Sequence, residues 1–190
     1  MLVLASASPR RLELLRSAGI DPIVDASDIP EIADPALSPV ANAARFARDK
    51  ALAVAARRPA DVILAADTIV TIDGKLLGKP ADRDDARAML KLLDGRGHYV
   101  VTCVHLLPPD GAQWPATSLT VHTAVALRPF AEGELDAYLD AGEWEGKAGA
   151  YAIQGRAASF VRAVLGSYTN VVGLPLCEVI EELRARGVVR

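Results

Sequence analysis

Two long runs of the chain have the composition of β-strands and follow one another closely. They are YVVTCVHLL at 99–107 and SLTVHTAVAL at 118–127, and the turn residues Pro-Pro-Asp-Gly occupy 108–111 in the link between them. Both runs are rich in β-branched residues, which favour extended backbone, and a link with Gly and Pro is typical of a reversal of the chain. We therefore expect a long antiparallel pair within a β-sheet.

Strands and helices alternate in the first third of the chain. LVLA at 2–5 and DVILAAD at 61–67 are typical of buried strands, and Ser8 followed by proline predicts the start of a helix. A second Ser-Pro start at 38–39 predicts a helix that runs to Arg58. The other predicted elements are strands at 20–25 and 159–166, a hairpin at 68–80 that turns at Asp73 and Gly74, and helices at 9–19, 81–93, 131–142 and 175–187. This order predicts an α/β fold with a mixed central β-sheet flanked by helices.

The composition is that of a compact globular protein. Hydrophobic residues make up 51% of the 190 residues and charged residues 24%, which excludes general disorder, and the length suits one domain over residues 1–190. The net charge is −3 and no basic block occurs, so we expect neither a nucleic-acid polymer nor a membrane as partner. Cys103 and Cys177 lie in apolar runs, where we expect small buried groups in a reducing cytoplasm. The first residues do not follow the order of a signal peptide.

The segment SASPRR, at 6–11, has the features of an anion site. A helix that starts after Ser8 presents backbone N–H groups and a partial positive charge, and Arg10 and Arg11 add guanidinium groups that match phosphate oxygens. An ordinary capped helix with two solvated arginines explains the same residues equally well.

Two carboxylates are candidates for chemistry. Asp67 ends a predicted buried strand, where α/β sheets place their ligands, and could act as a general base or metal ligand. Glu31, in the loop after the second strand, could accompany it, although a turn aspartate and a surface acid remain open alternatives. The histidines lack the spacing of a zinc site and are interpreted as sheet residues; they are His98, His105 and His122.

Three of the few lysines stand where a compact cation could be needed. Lys50 lies in the middle of a predicted helix, and Lys79 and Lys147 have glycine neighbours. The segment GKLLGK at 74–79 resembles a P-loop, but it has too few residues between its glycines, and Pro80 stands where a Ser or Thr is required. A Walker-type NTPase is therefore excluded.

Five motifs in order make the chain similar to a known family. They are LASASPRRLELL, AADTIV, LLGKP, KAGAYAIQG and GSYTNVVGLPL, which together span nearly the whole chain. The chain resembles the Maf family of nucleoside triphosphate pyrophosphatases, related in fold to the inosine triphosphatase (Maf/Ham1) superfamily. The resemblance implies two lobes with a cleft, a homodimer, and hydrolysis of a nucleoside triphosphate to the monophosphate and pyrophosphate with Mg²⁺ or Mn²⁺.

The resemblance also assigns roles to residues. It makes Asp67 the proton acceptor and, with Glu31, a metal ligand, and it makes Arg10, Thr68 and Gln154 the residues that select the substrate. The phosphate-binding residues it implies are Ser8, Arg11, Lys50, Lys79 and Lys147. Arg10 and Gln154 favour the branch that acts on dTTP and UTP, because a Gln amide matches the hydrogen-bonding edge of thymine or uracil. The alternatives are a 7-methyl-GTP pyrophosphatase and a non-catalytic nucleotide-binding regulator of septum formation.

Overall fold

The computed structural model describes residues 1–189, which form seven strands and six α-helices. The strands are β1 (Leu2–Leu4), β2 (Ile23–Val24), β3 (Val62–Ile72), β4 (Lys75–Leu77), β5 (Gly97–Leu107), β6 (Thr117–Leu127) and β7 (Val161–Leu165). The helices are α1 (Pro9–Ser17), α2 (Pro39–Ala55), α3 (Arg83–Leu93), α4 (Glu134–Asp140), α5 (Tyr168–Val172) and α6 (Leu176–Ala185). Two short 3₁₀ segments, Ala148–Ala150 and Arg156–Phe160, complete the secondary structure of this part of the chain.

The strands form one mixed sheet. Its order is β2-β1-β3-β5-β6-β7, and β4 pairs with β3 beside this path. β1 runs parallel to both of its neighbours, whereas β4 is antiparallel to β3 and β7 is antiparallel to β6. The prediction of an α/β fold with a mixed sheet and flanking helices is confirmed.

The chain divides into two compact units. The first contains residues 1–67, 102–121 and the chain from Gly173 onward, and the second contains 68–101 and 122–172. β3, β5 and β6 each contribute residues to both units. These units correspond to the two lobes that the motifs implied, and the cleft stays a prediction.

The core of the first unit lies on both faces of β1 and β3, because their side chains alternate in direction. Leu4 and Leu64 pack in one apolar cluster with residues of α1 and α6. Val3 and Ile63 point the opposite way and pack with Ala51 and Val54 of α2. Odd-numbered positions of this part of β3 therefore face α2.

In the second unit, α3 packs against α4 and against the Ala148–Ala150 segment. Tyr138 of α4 is 2% exposed and meets the ring of Phe160 edge-on, with ring centroids 5.6 Å apart. The hairpin between β3 and β4 turns at Asp73 and Gly74, whose φ values are +50° and +75°. This turn was predicted correctly, because Asp and Gly tolerate left-handed backbone.

Four local predictions need correction. Only two residues of the predicted strand at 20–25 form β2, and α2 ends at Ala55 rather than at Arg58. α5 was not predicted, although Ser167 marks its start by accepting the Asn170 N–H at 3.2 Å. Cys103 is buried as expected, but Cys177 is exposed on α6, since its helix turns that position away from the apolar face.

Candidate active site

Arg11 is held from the side by two hydrogen bonds within the first unit. Its Nε donates to the carbonyl oxygen of Gly173 at 2.8 Å, and its Nη1 donates to Ser6 Oγ at 2.9 Å. Only 9% of the residue is exposed. The guanidinium is thus a buried cation whose orientation is set by groups from both ends of the chain.

Lys50 joins two carboxylates in the same unit. Its Nζ lies 2.7 Å from Asp67 Oδ1 and 2.5 Å from Glu31 Oε1. Lys50 occurs on the helix face that also carries the buried residues Ala47, Ala51 and Val54, in the i, i+3, i+4, i+7 pattern of a core face. Asp67 occupies an odd position of β3 and therefore faces α2.

Asp67 does not end a strand. β3 continues to Ile72, so the predicted position of Asp67 at a carboxyl end is wrong. The reason is the run TIVTI at 68–72, in which every residue is β-branched and favours continued extension. The contact with Lys50 is nevertheless available, because a side chain from the middle of a strand can face a covering helix.

Burial shapes the electrostatics of this cluster. It lowers the pKa of Arg11, and the carboxylates of Asp67 and Glu31 oppose that shift. An arginine remains charged at neutral pH even so, because its ordinary pKa lies far above 7. The cluster of Arg11, Lys50, Asp67 and Glu31 therefore combines two cations with two carboxylates, and the side chains of Lys50 and Asp67 are only 10% and 11% exposed.

The start of α1 differs in detail from the prediction. Ser8 occupies the N-cap position with extended backbone, but its hydroxyl makes no capping bond. Instead, the Ser8 N–H donates to Ser6 Oγ at 3.3 Å. Arg10 is half-buried; its Nε has no hydrogen-bond partner within residues 1–189, and burial lowers its pKa, with Glu13 acting in the opposite direction.

The other predicted site residues lie in the second unit. Thr68 follows Asp67 in β3, and Lys147 Nζ donates to the carbonyl oxygen of Glu145 at 3.1 Å. The segments that carry Lys79 and Lys147 are joined by their backbones, because the Gly149 N–H donates to the Gly78 carbonyl at 3.0 Å. The structure therefore brings together the two glycine-lysine segments that sequence analysis singled out.

Gly149 is required at this junction. Its φ is +68°, and a Cβ atom built there would lie 2.9 Å from the side chain of Val70. The next residue, Ala150, also has a left-handed backbone, with φ +61°. Left-handed alanine is uncommon and costs free energy, so the surrounding contacts must hold this bend in place.

The sequence did not indicate which groups orient Arg11. The Gly173 carbonyl and the Ser6 hydroxyl orient Arg11, and neither was assigned that role. The periodicity of α2 could have indicated that Lys50 faces the same way as Ala47 and Ala51. For Glu31, a loop residue, no periodic signal exists.

No group of three or more His, Cys, Asp or Glu that could hold a metal ion occurs within the described residues. The histidines are sheet residues, as interpreted: His98 and His105 lie in β5 and His122 in β6. None of the helices in residues 1–189 is both long and apolar enough to cross a membrane.

The mixed sheet flanked by helices, with a buried charged cluster beside β3, defines an α/β protein. The family of Maf-like proteins matches residues 1–186. The dTTP/UTP pyrophosphatase of Geobacter metallireducens is 52% identical to this chain over 186 residues, which are 98% of this chain and 96% of that protein. That of Geobacter sulfurreducens is 52% identical over 188 residues, with coverages of 98% and 96%, and that of Caulobacter vibrioides is 46% identical over 187 residues, with coverages of 98% and 95%. The chain therefore belongs to the Maf family, as its motifs predicted.

Proposed function

We propose that this protein is a nucleoside triphosphate pyrophosphatase that hydrolyses dTTP and UTP to the monophosphate and pyrophosphate. The observation that supports the proposal is the contact between Lys50 and Asp67, together with the electrostatic interaction of Asp67 with the buried Arg11, which groups cations and a potential base in one cluster. Relatives about half identical over nearly the full chain are named dTTP/UTP pyrophosphatases, which supports the same substrates here.

We assign Asp67 as the proton acceptor. Its carboxylate takes a proton from the water that attacks the α-phosphorus, the bond between the α- and β-phosphates breaks, and pyrophosphate leaves. General base catalysis of this kind typically contributes about 100-fold to 10,000-fold. Lys50 holds the Asp67 carboxylate in place at 2.7 Å, so that it is oriented before substrate binds.

Cations carry the other part of the mechanism. A triphosphate has about four negative charges, and cleavage adds charge to the leaving group, which preorganised cations stabilise. We assign this task to Arg11, Lys50, Lys79 and Lys147, with Ser8 as a hydroxyl partner. Arg10, Thr68 and Gln154 are proposed to select the pyrimidine, through polar groups that penalise a base with the wrong hydrogen-bonding edge.

We propose that Asp67 and Glu31 would hold a divalent cation together with the substrate phosphates. Asp67 and Glu31 converge on Lys50, and both offer the hard oxygen ligands that Mg²⁺ and Mn²⁺ prefer. Mg²⁺ commonly uses one or two carboxylates together with substrate phosphates, which suits a protein that supplies two. Such an ion would neutralise charge on the departing pyrophosphate.

We further propose that residues 1–190 act as a single Maf-like domain, that the protein is cytoplasmic, and that it forms a homodimer. The match of one family over residues 1–186 supports the single domain. A net charge of −3 supports a nucleotide rather than a nucleic-acid polymer as partner.

The test is pyrophosphate release by the purified protein with Mg²⁺ or Mn²⁺. We expect turnover of dTTP and UTP. Turnover of 7-methyl-GTP alone would assign the protein to the other enzymatic branch. Nucleotide binding by calorimetry without any turnover would instead identify a regulator.

A further inference from the structure

A tight turn at residues 152–155 carries Gln154. The Gly155 N–H donates to the Ala152 carbonyl at 3.0 Å, which closes the turn with Gln154 as its third residue. Gln154 is exposed, so packing restrains little of its side chain. The backbone on either side therefore decides where the side chain of Gln154 starts and which way its Cα–Cβ bond points.

The first anchor of the turn is Tyr138. Its hydroxyl oxygen accepts the N–H of Ala152, the first residue of the turn, at 3.1 Å. The Tyr138 ring is itself fixed, because it is buried and packs edge-on against Phe160. The entry to the turn is thus attached to the core of the second unit.

The second anchor is Glu143. Its Oε2 accepts the N–H of Arg156 at 2.8 Å, immediately after the turn. A backbone donor to a charged acceptor makes a stronger hydrogen bond than one to a neutral acceptor. The exit from the turn is therefore held by a carboxylate from the loop that follows α4.

Gly155 makes room for this carboxylate. A Cβ atom built on Gly155 would lie 2.0 Å from Glu143 Oε2 and 3.0 Å from its Cδ. The backbone of Gly155 is extended, with φ −107° and ψ −150°, so no positive φ requires a glycine here. The place that Glu143 occupies therefore explains the glycine.

We propose that Glu143 is a positioning residue for substrate selection, and that it acts with Gly155 to hold Gln154 where it reads the uracil or thymine base. This inference rests on the proposed function, in which Gln154 selects the pyrimidine. Glu143 contacts neither base nor phosphate in this scheme. Its effect passes through the backbone of the 152–155 turn.

The test compares Glu143→Ala, Glu143→Gln and Gly155→Ala with the wild type, and Glu132→Ala serves as the matched loss of an exposed acid from the same unit. The readout is the ratio of kcat/KM for dTTP to kcat/KM for dCTP. We expect Glu143→Ala and Gly155→Ala to lower this ratio about tenfold, mainly through the KM for dTTP. Glu143→Gln keeps an oxygen acceptor and should restore most of the ratio, and Glu132→Ala should not change it.

Two further measurements separate a local effect on the turn from a general loss of structure: a double variant tests whether Glu143 and Gly155 act together, and hydrogen exchange tests whether the rest of the unit stays folded. In the double variant Glu143→Ala/Gly155→Ala, the methyl group added at position 155 no longer collides with the Glu143 carboxylate, because that carboxylate is absent. The ratio of kcat/KM for dTTP to that for dCTP should therefore fall no further than in either single variant. Hydrogen exchange followed by NMR should show faster exchange of the Arg156 amide in Glu143→Ala while amides of β6 keep their protection.

An unchanged dTTP to dCTP ratio in Glu143→Ala, with an active wild type, would overturn the role of Glu143 alone. A wild type that hydrolyses neither dTTP nor UTP would overturn the proposed function and this inference together.

Discussion

The Lys50 ammonium lies 2.7 Å from the Asp67 carboxylate, and about one-tenth of each side chain is exposed. In a pair so far removed from water each charge compensates the other, and removal of Lys50 would leave the Asp67 carboxylate buried without its ion-pair partner. Glu31, whose side chain is 36% exposed, adds a second carboxylate to the same ammonium. The proposed base is thus part of the packing of α2 on the sheet.

Asp67→Asn should abolish turnover while leaving nucleotide binding largely intact. The amide keeps the size of the side chain but cannot accept a proton from water. Pyrophosphate release and calorimetric binding of dTTP are the two measurements. Normal turnover by this variant would show that Asp67 is not the proton acceptor.

Lys50→Met should lower the free energy of unfolding by about 3 kcal/mol, because it removes the ion-pair partner of the buried Asp67 carboxylate. The double variant Lys50→Met/Asp67→Asn should recover a large part of that loss, since the uncompensated charge is gone. Urea unfolding of the wild type, both single variants and the double variant gives the comparison. Additive losses would mean that the two side chains do not depend on one another.

Arg11→Lys should weaken nucleotide binding and lower the free energy of unfolding by about 1–2 kcal/mol. The single lysine nitrogen cannot reproduce both the Nε bond to Gly173 and the Nη1 bond to Ser6. Arg16→Lys, on the exposed side of the same helix, is the control and should have little effect. Equal behaviour of the two variants in binding and unfolding would contradict the role of Arg11.

His98 should make the protein less stable in acid. Burial lowers the pKa of His98 to about 4, and its Nε2 lies 2.8 Å from the Tyr151 hydroxyl. As the pH falls below the ordinary pKa of 6.5, the unfolded chain gains a proton that the folded protein takes up only near pH 4. Between these values the free energy of unfolding should fall by about 3 kcal/mol on account of this residue.

The measurement is urea unfolding at several pH values between 7 and 4. His98→Gln should be less stable than the wild type at pH 7 but lose less stability on acidification. Carboxylates contribute equally to both proteins, so the difference between the two curves isolates His98. Parallel curves would mean that His98 titrates alike in the folded and unfolded chains.

Much of the fold followed from local patterns. The hairpin at Asp73 and Gly74 was predicted from turn residues alone, and Ser38 caps α2 by accepting the Ala41 N–H, as its Ser-Pro start indicated. The strand containing Asp67 was placed correctly but ended too early, because the β-branched run after it was assigned wholly to a hairpin.

Local chemistry in the amino-acid sequence thus determined the starts of α1 and α2 and the turn at Asp73 and Gly74, since hydroxyl caps, prolines and glycines act on their own neighbourhood. Which charges meet was decided only by packing across the chain. The loop residue Glu31 reaches Lys50, and Glu143 occupies the space that Gly155 leaves open, through contacts that no periodicity encodes. Side chains far apart in sequence are brought within hydrogen-bond distance only when the apolar faces of the helices bury against the sheet.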